Sequence, residues 1–154
     1  MSLTIIPFKS EYSKRFKELN VEWLDKYFYV EPKDIQLLDK CEENIIDKGG
    51  FIYFAQYNDE IAGCFALLKL ANGEYELGKM AVDAKFQGLK IGQSLLSFAV
   101  NLAKQNSWSK LVLYSSTKLG KAIYIYKKFG FKEVPIEKNL PYTRSDIKME
   151  LLLN

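Results

Sequence analysis

One stretch limits the fold of this chain more than any other: Met80 to Ser94, M-A-V-D-A-K-F-Q-G-L-K-I-G-Q-S. It opens as an apolar strand and crosses a polar turn holding Gly88 and Gly92. It then enters a segment where Ile91, Leu95, Ala99 and Leu102 recur at helical spacing, which predicts an amphipathic helix over Ile91 to Gln105. The first turn of such a helix has backbone N–H groups without intrahelical partners. With the positive end of the helix dipole they form a place for an anion, most often phosphate. Glycine lets the backbone come close to a ligand and take positive φ. A phosphate-bearing ligand is therefore expected over residues 88–94. Two common phosphate loops do not fit. Gly88 to Gly92 is one residue short of G-x-x-x-x-G-K-[ST], with Gln93 at the lysine position, and the glycines do not match G-x-G-x-x-G.

Elsewhere the apolar pattern gives a regular succession of elements. Leu3 to Pro7 reads as a strand stopped by proline. Tyr12, Phe16, Leu19, Trp23 and Tyr27 mark a helix that Ser10 is placed to cap. Pro32 opens a second helix with Ile35, Leu38, Cys41, Ile45 and Ile46 as its apolar stripe, ended by Gly49-Gly50. Phe51 to Tyr57, Ile61 to Leu70 and Glu74 to Val82 read as an antiparallel meander, the last turn marked by Asn72-Gly73. After the central helix come a strand at Lys110 to Ser115, a helix from Leu119 to Phe129, and strands at Phe131 to Val134 and Arg144 to Leu153. The order is β-α-α-β-β-β-α-β-α-β-β, with no repeat or linker.

The totals narrow the chemistry. The 154 residues suggest one domain over 1–154, and 48% hydrophobic with 27% charged residues is ordinary for a globular protein. A formal charge of +3 with dispersed lysines is too small to argue for nucleic acid, and no such partner is expected; no apolar run approaches membrane-spanning length, so no membrane is expected. Cys41 and Cys64 each sit in an apolar pattern, as buried reduced thiols of a cytoplasmic protein would; no signal peptide is visible. Histidine is absent, so Ser–His and Cys–His nucleophiles and histidine metal sites are excluded, and no metal is expected. Acid–base work falls to carboxylates, tyrosine, lysine, thiol or water.

The run Met80-Ala81-Val82, then Gln87-Gly88-Leu89-Lys90-Ile91-Gly92, resembles the acetyl-CoA loop of the GNAT family of N-acetyltransferases, roughly [RQ]-x-x-G-x-[GA] after a strand. Lys90 stands where that family usually has its middle glycine. A second signature, Ala122-Ile123-Tyr124-Ile125-Tyr126-Lys127-Lys128-Phe129-Gly130-Phe131, looks like the family's A-I-x-x-Y-x-x-x-G-F. The resemblance implies an α+β fold: an α/β/α sandwich with a mixed, mostly antiparallel sheet whose fourth and fifth strands splay apart.

The activity implied is transfer of an acetyl group from acetyl-CoA to a primary amine of a small molecule or peptide, directly in a ternary complex. By the same resemblance, Met80, Ala81 and Val82 would pair with the pantetheine arm. Gln87, Gly88, Leu89, Lys90, Ile91, Gly92 and Gln93 would hold the pyrophosphate, with Ser94 as a further donor. Tyr126 takes the position of the general acid for the departing thiolate. Glu76 is the candidate base, on the same side of its strand by alternation as Gly78, Met80 and Val82. The family's cofactor-contacting asparagine is replaced by Leu119, with Thr117 or Lys118 as substitutes. The acceptor wall would include Trp23, Tyr27 and Glu31, suited to a cationic amine, whereas Arg144 would favour a substrate carboxylate. Lys90 and Leu119 keep open a non-catalytic acyl-CoA-binding module of the same fold. A protein N-acetyltransferase also stays open, as does a homodimer through an exposed last strand.

Overall fold

Alternating apolar residues and tight turns build the centre of the molecule, which a computed structural model describes for residues 3–153. Residues 1, 2 and 154, included in the expected domain, lie outside the described residues. Strand β1 (Leu3–Pro7) pairs antiparallel with β2 (Phe51–Tyr57), which pairs with β3 (Glu60–Ala71), which pairs with β4 (Glu74–Val82). The β2–β3 turn places Asn58 and Asp59 at φ 49° and 68°, and the β3–β4 turn has Gly73 at φ 77°, the positive angles that match strand twist in short hairpins. β4 runs parallel to β5 (Lys110–Ser115), and β7 (Ile147–Leu152) lies antiparallel between β5 and the short β6 (Lys132–Val134). The sheet order is β1-β2-β3-β4-β5-β7-β6. The last strand is thus internal, and β1 and β6 are the edges, so the expected pairing of another chain on an exposed last strand has no basis.

Helices α1 (Ser13–Tyr27) and α2 (Pro32–Asp39) cover one face; α3 (Ile91–Gln105) and α4 (Gly120–Lys128) flank the other. The first face buries Phe16, Leu19 and Leu24 of α1 against Phe54 and Ile52, and the second buries Leu95, Leu96 and Ala99 of α3 against Phe65 and Leu77. Three local expectations are corrected. Ser10 does not cap α1: it begins a 3-10 turn, Ser10–Tyr12, and its hydroxyl donates to Glu42 Oε1 at 2.8 Å. The second helix stops at Asp39, Glu42–Ile46 forms a separate π turn, and Ile35 is 49% exposed. The last strand begins at Ile147, because Arg144 is drawn instead toward α2.

β4 carries a bulge. Gly78 pairs with Ala66 and Ala81 with Cys64, so Lys79 and Met80 oppose Phe65 alone, and Lys79 takes φ 53°. The extra residue reverses the alternation. Glu76 and Gly78 face the α1–α2 side, whereas Met80 and Val82 pack with α3 on the other side. The expectation that all four share one side is therefore wrong. The Cys64 thiol, whose pKa burial pushes up to about 12, donates to the Lys79 carbonyl at 3.5 Å.

The Lys79 side chain is buried and donates to Asp34 Oδ1 at 2.6 Å and to Tyr142 Oη at 2.9 Å. Asp34, fully buried, also accepts two bonds from Arg144, at 2.7 and 2.8 Å, and Arg144 reaches Glu31 Oε2 at 3.0 Å. Burial alone would raise the Asp34 pKa, but its bonds with Arg144 and Lys79 hold it below the usual carboxylate range. The Lys79 pKa is lowered too, but against its charged form: burial pulls it down more than the shared carboxylate lifts it. We take Asp34, served by two cations, as the firm anchor. Asp34→Asn leaves two buried cations short of a counter-charge and should cost about 3–5 kcal/mol in urea denaturation at neutral pH. A depressed carboxylate stabilises above its unfolded pKa and loses that contribution as pH falls through its folded pKa. The gap between the wild type and the variant should therefore close in acid.

Candidate active site

The parallel β4–β5 ladder is short, running from Glu74–Lys110 to Glu76–Val112. Beyond Glu76 the two strands part, as a splayed pair should. The edge of β4 from Leu77 to Val82 that faces β5 has no ladder partner. The opening belongs to a cavity of about 1240 Å³ that runs from the start of α3, past both strands, to Trp23, Tyr27 and Phe28.

At the α3 end, the first backbone bond of the helix runs from the Ser94 N–H to the Lys90 carbonyl at 3.1 Å. The N–H groups of Ile91, Gly92 and Gln93 precede the ladder, and these residues border the cavity. Gly88, at φ 84°, also borders it, and an added β-carbon would meet nothing within 4 Å; only the backbone angle demands glycine. Lys90 takes φ 59° and ψ 28° as the residue before α3. The lysine thus supplies the left-handed conformation that a glycine would adopt without strain. The Gln87 side chain donates to the Val82 carbonyl at 3.3 Å and fastens the turn to the end of β4. Three site candidates fall outside the cavity lining: Leu89 is 42% exposed, Ser94 sits one residue beyond the lining positions, and Glu31 is buried behind Arg144.

Met80, Ala81, Val82, Tyr126 and Glu76 all border the cavity. Tyr126 lies on α4 with its ring edge-on to Phe131 at 6.0 Å, and burial raises its phenol pKa, so the proton stays on at neutral pH. Burial likewise raises the Glu76 pKa, which the Lys79 charge only partly offsets. No hydrogen bond or ion pair engages Glu76 among the described residues, so both its oxygens are free to take a proton.

Trp23 and Tyr27, expected in an acceptor wall, line the cavity with ring centroids 5.3 Å apart. Glu31 and Arg144, expected to select opposite kinds of acceptor, instead bind each other. The remaining Glu31 oxygen accepts from the Thr143 N–H at 2.8 Å and its hydroxyl at 3.1 Å. Neither presents a free charge to a substrate. Thr117 is occupied by Asp146, with two bonds of 2.8 Å, while Lys118 borders the cavity beside Leu119, the residue before α4. The sequence reading missed Asp34, Lys79 and Tyr142. One signal for Asp34 was present: Glu31-Pro-Lys-Asp34 has the spacing of a helix cap, and the Glu31 N–H donates to Asp34 Oδ2 at 2.9 Å.

A family model described as an acetyltransferase (GNAT) domain matches residues 48–133, more than half of the chain. The chain belongs to the GNAT family. In the solved structure of a GNAT acetyltransferase from Staphylococcus aureus, the same fold recurs with a TM-score of 0.86 and 24% identity over 99% of this chain and 100% of that one. A GNAT acetyltransferase from Elizabethkingia anophelis, solved with acetyl-CoA bound, gives 0.71 and 26% identity over 98% of each chain. An N-acetyltransferase of Dictyostelium discoideum, itself uncharacterised, is 41% identical over 58 residues, 38% of this chain and 27% of that protein. This chain therefore spans about a quarter of that relative's length.

The GNAT domain's own geometry fits the coenzyme such relatives hold: ladder-free N–H groups for a diphosphate, and an unpaired strand edge for an amide-bearing arm. Among the described residues no helix is long and apolar enough to cross a membrane, and no three His, Cys, Asp or Glu residues gather to hold a metal ion. The left-handed Lys90 carries about 1 kcal/mol of strain. Lys90→Gly should raise the unfolding free energy by up to that amount in guanidinium denaturation. A lower value in the variant would show that the lysine side chain contributes more than its backbone costs.

Proposed function

We propose that this domain transfers an acetyl group from acetyl-CoA to a primary amine of a small molecule or peptide, directly, in a ternary complex in the cytoplasm. The observation that carries this is the parting of β4 and β5 beside the open first turn of α3, with Glu76 and Tyr126 in the walls of the same cavity. The relative with acetyl-CoA bound supports the choice of donor.

Acetyl-CoA supplies an activated acyl thioester. The amine nitrogen bonds to the acyl carbon, the carbon–sulfur bond breaks, and an N-acetyl amine and a thiol leave. Glu76, unpartnered and with a raised pKa, takes the proton the amine sheds. Tyr126, kept protonated by burial, gives its hydroxyl proton to the departing sulfur. The unpaired edge of β4 and the N–H groups of Ile91 to Gln93 hold the donor in line, so most of the acceleration comes from positioning and from fixed dipoles.

Calorimetry with coenzyme A should give a binding heat, and acetyl-CoA with an amine panel should release thiol. Absence of heat would sink the reading, and heat without thiol for any amine would favour the binding module. Glu76→Gln and Tyr126→Phe should each lower turnover by about 10²-fold or more. Because the base must be deprotonated, wild-type activity should rise with pH through a value above the ordinary carboxylate range. That limb should vanish in Glu76→Gln.

A further inference from the structure

Tyr142 lies on the connection between β6 and β7 and borders the cavity. Its ring covers two cations, with Lys79 Nζ 4.6 Å and Arg144 Cζ 4.2 Å from the centroid. Its hydroxyl oxygen accepts from Lys79 Nζ at 2.9 Å. A phenol oxygen that accepts from an ammonium has its own proton to give elsewhere. Among the described residues no protein group takes that proton. Burial, followed by the neighbouring Asp34 charge, raises the phenol pKa, so the proton is present at neutral pH. Nor can Lys79 turn away, since it is bonded to Asp34 at 2.6 Å and Asp34 is held by Arg144.

We propose that Tyr142 determines acceptor specificity: its O–H donates to a neutral oxygen, carbonyl or hydroxyl, carried by the substrate a few bonds from the reacting nitrogen. The acceptor is then an amine with a neutral oxygen beside it, as in an α-amino amide. Charge separates this from the corresponding acid. Glu31 and Asp34 balance Lys79 and Arg144, so no cation of the cluster is left for a carboxylate, while the unpartnered Glu76 repels one. The proposal rests on the transfer reading above and specifies its substrate class.

Phenethylamine, phenylalaninamide and phenylalanine differ only in the group beside the amine and make a direct test with the whole chain and acetyl-CoA. At equal concentrations of free amine, one added hydrogen bond predicts a kcat/KM for phenylalaninamide about tenfold above phenethylamine, with phenylalanine below the amide. In Tyr142→Phe, which keeps the ring over both cations, the amide-to-amine ratio should fall about tenfold, to what the lower proton affinity of the amide's amine gives by itself. Equal kcat/KM for the two in the wild type, a ratio unchanged in Tyr142→Phe, or a preference for phenylalanine over the amide would each overturn the proposal. If the variant does not fold, the wild-type ratio at equal concentrations of free amine decides: a ratio of one overturns the proposal. If no amine releases thiol, the same compounds titrated into the protein–CoA complex, followed by tryptophan fluorescence, still decide. An amide preference lost in Tyr142→Phe keeps this inference while the transfer reading fails; binding without preference overturns it.

Discussion

A lysine ammonium buried against a buried aspartate at 2.6 Å holds the working part of this molecule in place. Lys79 is the extra residue of the β4 bulge, and its left-handed backbone is unfavourable for a side chain with a β-carbon. Its side chain supplies the compensation by bonding to Asp34 on α2 and Tyr142 on the β6–β7 connection. The bulge turns Met80 and Val82 toward α3 while Glu76 stays on the side of α1 and α2. One inserted residue thus puts the proposed donor-binding residues and the proposed base on opposite faces of one strand. Arg144 completes the arrangement by drawing its loop onto the same aspartate. A buried ion pair is weak evidence for net stability; here its effect is to fix the relation of three elements.

The sheet is antiparallel except where β4 meets β5, and that junction is where it opens. Buried backbone polar groups need partners. A strand that leaves its neighbour after Glu76–Val112 must give its edge to something else, and the cavity beside it allows that partner to be a ligand. The bonds that brace the region come from side chains. Arg15 donates to Asp83 Oδ2 at 2.6 Å and to the Ile61 carbonyl at 2.9 Å, tying α1 to the end of β4 just before the turn that leads to α3.

Much of this fold is legible locally. Phe51–Tyr57, Glu74–Val82, Lys110–Ser115 and Ile91–Gln105 have the bounds their periodicity and flanking turns give them, because each signal lies within the element itself. The open turn before α3 was readable for the same reason. The bulge was not: one added residue leaves an apolar strand looking apolar, yet it inverts every face assignment beyond it, which is why Glu76 was placed beside Met80 and Val82. The pairing of Glu31 with Arg144, 113 positions apart, was hidden for a different reason. A charged residue read alone looks solvent-facing or substrate-facing, and only the topology reveals a partner from the far end of the chain. Ser10 failed as a cap because a 3-10 turn intervenes before α1.

A chain without histidine has to match its base to its substrate by other means. Burial raises Glu76, yet a carboxyl group remains a weak base beside an alkylamine, whose pKa is about 10.4 for a lysine side chain. An amine next to a carbonyl is easier to deprotonate, with the α-amino group of a peptide at about 7.7–8.0. The neutral oxygen that would accept from Tyr142 is therefore also the group that lowers the proton affinity of the nitrogen beside it. Recognition by a tyrosine and deprotonation by a glutamate then select the same acceptors for independent reasons. A site with these two residues has less need of the imidazole that the sequence does not contain.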